Sequence, residues 1–574
     1  MSIQDIVVII FYAGGMLAIG TVLSKRNKNA VDMFTVNRQS PWWLTGLSAF
    51  MSAFSSGTFV VWGGIAFKHG AVAISILSCL GIASLLVGKY LAGKWAAIGI
   101  RSAGEFVEIR FGKQAVLFYT WAGMLFKIVA MAVALYSFST LLSAMIDVPE
   151  GLFFRDDSTG KVSITYACIV SGLLMLSYAV SGGLWAVLII DAVQFIVLMA
   201  SVLFVVPLCF QYVGGVDQFL ARVPDGFLLP VGGSFTYYFL AGWVIVHFFK
   251  LGGEWVFIQR FLAVSEKRNA QKSTYLLGVL YLTSPLLWMI PSMVYRVVDP
   301  AANPEYSYFL MCAAVLPAGM IGLLVAAMFS ATASSIDGEV NVYAGALTRD
   351  LYMHYIRPGA SQKEQVMIGR IFSMLIGALI IIVAVLIPQF GGAESVVLSI
   401  TGLLAVSMVL PPVWGLFFPK VKENSVWVCS GVSLLVATLV KFTIPSDTSF
   451  GIGVWFMKNA QLLEVLTGIV VPFLVLVIME WVEKNDHPGF LRIQQLENEF
   501  KPTSSTSESA IFPGIILAMS ICCVGVLMFI LAIFSEQLTS LMVFFGLFFV
   551  IISVLIFIVV KKRKVLAAPR MTGE

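Results

Sequence analysis

The stretch WVIVHFFKLGGEWVFIQR, residues 243–260, is apolar enough to cross a bilayer, yet it carries His247, Lys250 and Glu254 around the pair Gly252-Gly253. On a helix the three ionisable residues stand at i, i+3 and i+7 and share one face. A charge at the centre of a membrane helix costs on the order of 3 kcal/mol, so such a stripe needs partners or a cavity. The glycine pair would let the helix unwind, and interrupted helices at mid-depth are how a transporter offers backbone groups to a solute. Three readings stay open from these residues: a face lining a central cavity, a Lys250–Glu254 pair acting as internal glue with His247 beside it, or a Glu254 solvated near the cytoplasmic end.

Composition makes lipid the setting. The chain has 574 residues, 59% hydrophobic and 12% charged, against roughly 25% charged in an average soluble domain. Apolar runs of about 20 residues, the length that crosses roughly 30 Å of hydrocarbon, recur from end to end. Fifteen candidate spans run from 5–23 to 538–560, with 43–67, 234–259 and 308–344 among them, and they form one polytopic unit. The first run lacks a basic flank and a small-residue cleavage site, so it reads as a retained helix. All seven cysteines lie in apolar segments, which predicts free thiols. The net charge of +5 sits in short loops, so the expected partners are a small-molecule solute and the bilayer, with no nucleic acid. Nothing resembles a nucleophile–base pair or a metal cluster, so no enzyme is expected, and the oligomeric state is not legible.

The loops that would be cytoplasmic for an N-out, C-in chain hold 26 Lys and Arg, against six on the other side. That asymmetry predicts N-out, C-in. The absence of any Asn-x-Ser/Thr sequon fits a bacterial inner membrane.

Three further stretches carry polar groups at membrane depth. In AAMFSATASSIDGEVNVYAGALTRDLY (326–352), Ser330, Ala331, Thr332, Ser334 and Ser335 allow close helix approach. Asp337 and Glu339 follow within a turn, and hydroxyls beside carboxylates suit a small alkali cation. In SPWWLTGLSAFMSAFSSGTFVVWGG (40–64), the segment SAFSSG fits either an unwound helix whose carbonyls face an ion or a serine-rich helix bonding back to its own carbonyls. In YAVSGGLWAVLIIDAVQF (178–195), Gly182-Gly183 predicts a tight turn, and Asp191 is an intramembrane carboxylate, a functional candidate by default.

Together these stretches, with FIQRFLAV (257–264), resemble the sodium/solute symporter family, which includes bacterial sodium/proline, sodium/galactose and sodium/sialic acid carriers. The similarity runs over roughly residues 5–445. It implies an all-α polytopic membrane protein with a LeuT-type fold: two five-helix inverted repeats whose first helices are broken, plus extra N- and C-terminal helices. The expected division is an extra helix and loop (1–42), a transport core (43–418, with repeats at about 43–211 and 234–418), two added helices (419–481), a cytoplasmic linker (482–510), and two C-terminal helices with a basic tail (511–574).

Carried over residue by residue, the resemblance implies a sodium site from the carbonyls of Met51, Phe54 and Ala331 and the hydroxyls of Ser334 and Ser335. Na⁺ is then the co-transported ion, and no organic cofactor is implied. Asp191 matches an acidic residue that supports this site or forms a second one. In relatives with a second site, two hydroxyls stand where this chain has Asp337 and Gly338, so Asp337 either supplies an anionic oxygen or carries a proton. Where the galactose carrier has amides and an aromatic gate, this chain has Ala53, Thr58, His247 and Lys250. Lys127 lies about one turn from the carboxylate-binding arginine of the sialic acid carrier. The expected substrate site is therefore Ala53, Thr58, Lys127, His247, Lys250 and Glu254, with Lys127 and Lys250 supplying positive charge to an anionic or zwitterionic carboxylate or amino acid. Two alternatives are a proton-coupled transporter and a membrane solute sensor built on a transporter-like fold.

Overall fold

The computed structural model describes residues 2–24, 38–178, 184–403, 405–443, 460–500, 511–534 and 539–567. The turn expected at Gly182-Gly183, the Ser/Thr-rich stretch 501–510 and the end of the basic tail lie outside the described residues. Helices dominate because each apolar run must satisfy its backbone internally in lipid. Each of the fifteen apolar stretches contains helix. Among the described residues, nine helices are long and apolar enough to cross a membrane, and one bent pair makes a tenth.

The elements that position the site are α1 (Ile3–Ser24), α2 (Trp42–Ser52), α3 (Val72–Val87), α4 (Lys113–Met145), α5 (Ile164–Tyr178), α6 (Leu184–Tyr212), α7 (Tyr237–Gly253), α8 (Trp255–Leu262), α9 (Lys267–Thr283), α10 (Met320–Ala346), α11 (Gln362–Leu386) and α12 (Gly392–Leu403). They sort by packing into two bodies. Helices α2, α3, α7, α8 and α9 pack on one another, and α4, α5, α10 and α11 form a second set. The first body thus takes the first two helices of each expected repeat, and the second body takes the third and fourth.

Both expected interruptions are present. Helix α2 stops at Ser52, where Ala53 and Phe54 donate to the carbonyls of Phe50 and Met51 in tight closing turns, and helical structure resumes at Thr58. Helices α7 and α8 meet at Glu254 with a 57° bend. The glycine pair plays a different part from the one expected. Gly252 and Gly253 remain helical, and the break falls one residue later, where Glu254 takes an extended ψ of 132°. The glycines serve close packing instead: a Cβ on Gly252 would stand 2.3 Å from the Leu91 side chain, and one on Gly253 would stand 2.7 Å from the Val409 carbonyl.

Two other expectations change. The stretch 308–344 is not one span. It divides into Ser307–Val315 and α10, because Pro317 and the positive φ of Gly319 (87°) turn the chain between them. Within 482–510, read as a linker, Pro488–Glu499 is a helix packed on Ala103–Phe111, with Ile493 buried.

Helix α1 also caps α10, which hydropathy does not reveal. Asp5 is 1% exposed. Its Oδ1 accepts the backbone N–H groups of Gly319 and Gly322 at 2.8 Å each, and Oδ2 accepts the N–H and hydroxyl of Ser2. These are donors that the start of a helix leaves open, and the carboxylate also meets the positive end of its dipole. Asp5→Ala is expected to cost about 1–3 kcal/mol, read as a lower thermal midpoint of the detergent-purified protein. An unchanged midpoint contradicts the capping role.

Candidate functional site

The two breaks face a shared cavity of about 240 Å³, lined by α2, α3, α4, α7, α8, α9, α10 and α12. Oxygens gather at the first break. The Ser335 hydroxyl lies 3.1 Å from the Phe54 carbonyl and 3.0 Å from the Ala331 carbonyl. Ser334, one residue earlier, donates to Asp191 Oδ1 at 3.0 Å, while Ser48 of α2 donates to Oδ2 at 2.5 Å. A serine whose proton is held by a carboxylate has its lone pairs free on the other side, the orientation a cation requires. Asp191 is 2% exposed and does not line the cavity. It stands behind the hydroxyl.

The rest of the serine-rich stretch fastens α10 to its surroundings. Thr332 accepts the Ser56 backbone N–H at 3.2 Å and donates to the Ser56 hydroxyl at 3.0 Å. That hydroxyl in turn donates to the Ala134 carbonyl of α4, and Gln194 of α6 donates to Ser330. Ser48, Ser56 and Gln194 were not singled out from sequence. Their signal is only a polar residue in an apolar run, and their partners lie 78 to 276 residues away.

Charge gathers at the second break. Lys127 of α4 lies 3.0 Å from Glu254 Oε1 and 2.6 Å from Glu339 Oε1. The positive charge expected of Lys127 is thus already shared by two carboxylates. The glue reading is corrected: Glu254 pairs across to Lys127 and not with Lys250, since the chain leaves helical geometry at Glu254. Nor is Glu254 solvated, being 6% exposed. Lys250 lines the cavity with no carboxylate within ion-pair distance among the described residues. One turn earlier, His247 is buried with Nδ1 unpartnered, and its ring meets Trp243 edge-on at 5.2 Å. Trp243 Nε1 is unpartnered too. Trp243, His247 and Lys250 thus set three nitrogen groups along one face of α7.

Arg260, counted among cytoplasmic loop charges in the sequence, is 4% exposed and lines the cavity. Its guanidinium donates to the Val256 carbonyl at 3.1 Å. Of the other expected residues, Met51, Ala53, Phe54 and Thr58 line the cavity. Asp337 does not. It is buried, and its Oδ1 has no hydrogen-bond partner.

Residues 33–429 match the profile of the sodium:solute symporter family. The chain belongs to that family. It is a multi-pass membrane transporter, not an enzyme, and its membership supports sodium-coupled symport with Na⁺ as the co-transported ion. It is 25% identical over 485 residues to the sodium/glucose cotransporter of Vibrio parahaemolyticus, covering 77% of this chain and 86% of the relative. The sodium/myo-inositol cotransporter 2 of Rattus norvegicus is 26% identical over 503 residues, with 77% and 70% covered. The structure of a Na⁺-coupled sialic acid symporter in a substrate-bound outward-open state superposes with a TM-score of 0.63 at 21% identity, over 82% of this chain and 98% of that one. The shared fold is of the LeuT type.

Proposed function

We propose that this symporter imports a small solute bearing a carboxylate, anionic or zwitterionic, together with Na⁺, by alternating access across a bacterial inner membrane in an N-out, C-in orientation. The observation that carries the solute class is Lys250, a cavity cation with no carboxylate in ion-pair contact. A desolvated ammonium of this kind costs several kcal/mol, and an anionic group of the solute offsets that cost. Trp243 and His247 lie along the same face to donate to the carboxylate.

Sodium sits between the carbonyls of Met51, Phe54 and Ala331 and the hydroxyls of Ser334 and Ser335. Neutral oxygens replace its hydration shell, and Asp191 orients Ser334 from behind. Met51 and Phe54 belong to the first body; Ala331, Ser334 and Ser335 belong to the second. Rocking of one body against the other therefore divides the site and frees the ion. Lys127 and Glu254 straddle the same boundary. One Na⁺ crossing about 100 mV releases about 2.3 kcal/mol, and a tenfold gradient adds about 1.4 kcal/mol. Together they sustain an accumulation of roughly several hundredfold for a net-neutral solute.

The test is uptake of radiolabelled carboxylates and amino acids into liposomes holding the purified protein. A sodium gradient at fixed pH is expected to drive accumulation, and accumulation driven by a proton gradient alone contradicts the proposal. Asp337 favours that second reading, because its buried Oδ1 has no partner and an intramembrane carboxylate is a candidate proton carrier. Asp191→Asn removes one hydrogen-bond acceptor behind the ion. It is expected to raise the sodium concentration for half-maximal transport about fivefold, the effect of about 1 kcal/mol. An unchanged sodium dependence separates Asp191 from the ion.

A further inference from the structure

Lys127, Lys250 and Arg260 line the cavity, as do Glu254 and Glu339. Their ion pairing is uneven in space. Lys127 is shared by Glu254 and Glu339, so that corner carries an excess of one negative charge. Lys250 has no carboxylate in ion-pair contact, so the α7 face carries an excess of one positive charge, beside the unpartnered nitrogens of Trp243 and His247. A solute bearing a single charge satisfies one pole and leaves the other uncompensated, which is expensive in a desolvated site. A dipolar solute satisfies both poles.

We infer that the cavity is built for a zwitterion, with its carboxylate along the Trp243–His247–Lys250 face and its ammonium against Glu254 and Glu339. This rests on the proposed transport role of the same cavity and narrows its solute class. The two poles flank one break: Lys250 stands in the last turn of α7, and Glu254 takes the extended conformation that ends it. The lining also holds apolar and aromatic side chains, Trp62, Leu77, Leu80 and Val397 among them, which suits an uncharged side chain on the solute. The ammonium competes with Lys127 for Glu254, so cargo and the cross-body ion pair draw on the same carboxylate.

The test uses the purified full-length protein and matched probes. Each of a set of α-amino acids, with β-alanine and γ-aminobutyrate, is compared with its N-acetyl derivative, which keeps only the carboxylate, and with its amide, which keeps only the ammonium. Affinity is read in NaCl by tryptophan fluorescence. At least one zwitterion is expected to bind ten or more times tighter than both derivatives. Glu339→Gln removes the negative excess and is expected to bring the N-acetyl derivative within threefold of the zwitterion. Lys250→Met is expected to do the same for the amide, so the two variants shift selectivity in opposite directions. Should either variant fail to fold, the other and the wild-type panel still decide.

An N-acetyl derivative that binds wild type as tightly as its zwitterion overturns the inference. So does a wild type that binds monocarboxylates or sugars and no zwitterion. Zwitterion selectivity that persists unaltered when choline replaces Na⁺ upholds the inference and counts against sodium coupling instead.

Discussion

Ser335→Ala is expected to weaken sodium binding about 10- to 100-fold and to reduce uptake at ordinary sodium concentrations below detection. The Ser335 hydroxyl bridges the Phe54 carbonyl on the broken α2 and the Ala331 carbonyl on α10, at 3.1 and 3.0 Å. Removing it deletes one oxygen of five in the proposed shell. It also leaves the Phe54 carbonyl without its hydroxyl, a loss of about 1–3 kcal/mol. The measurement is a sodium titration of uptake together with a thermal midpoint in sodium and in choline. Sodium is expected to stabilise wild type and to lose that effect in the variant. Equal stabilisation of both moves the ion elsewhere.

Lys250→Ala is expected to lower the uptake efficiency of a carboxylate-bearing solute by about 10- to 100-fold, the range for a hydrogen bond to a charged group. Its stability is expected to hold or rise, because the substitution removes a desolvated charge that no carboxylate contacts. Lys127→Met marks the contrast. Lys127 is flanked by Glu254 and Glu339 at 3.0 and 2.6 Å, and deleting it strands two carboxylates away from water, a loss of about 3–5 kcal/mol. A Lys250→Ala protein that unfolds as readily as Lys127→Met, or that transports normally, makes Lys250 structural.

Much of the fold is legible because lipid allows few solutions. An apolar run of spanning length becomes a helix without needing a distant partner. The local sequence of SAFSSG fits a break or a serine-rich helix alike, and the structure shows the break. Ser334 and Ser335 stand out locally only as hydroxyls in an apolar run; their place at an ion site is what the family resemblance implies. Pairing is not legible. Lys127 and Glu339 are 212 residues apart, and nothing near Lys127 signals that its charge is already satisfied. Arg260 follows an apolar run directly, so it reads as a loop cation although the chain buries it. The glycine pair is informative in kind but not in role. It marks a close approach to Leu91 and Val409, and the extended residue falls on Glu254, whose side chain thereby turns from Lys250 toward Lys127. The apolar stretch 308–344 is also longer than one crossing requires, a length that by itself points to the division at Pro317.

If the ion at the broken helix moves with the solute, ²²Na⁺ flux into liposomes holding the purified protein reports it, at fixed pH and clamped potential, with an inward gradient of transported solute as the only driving force. The solute gradient is expected to pull ²²Na⁺ inward in wild type and to fail to do so in Ser335→Ala. Solute entry that leaves ²²Na⁺ at rest in wild type contradicts it.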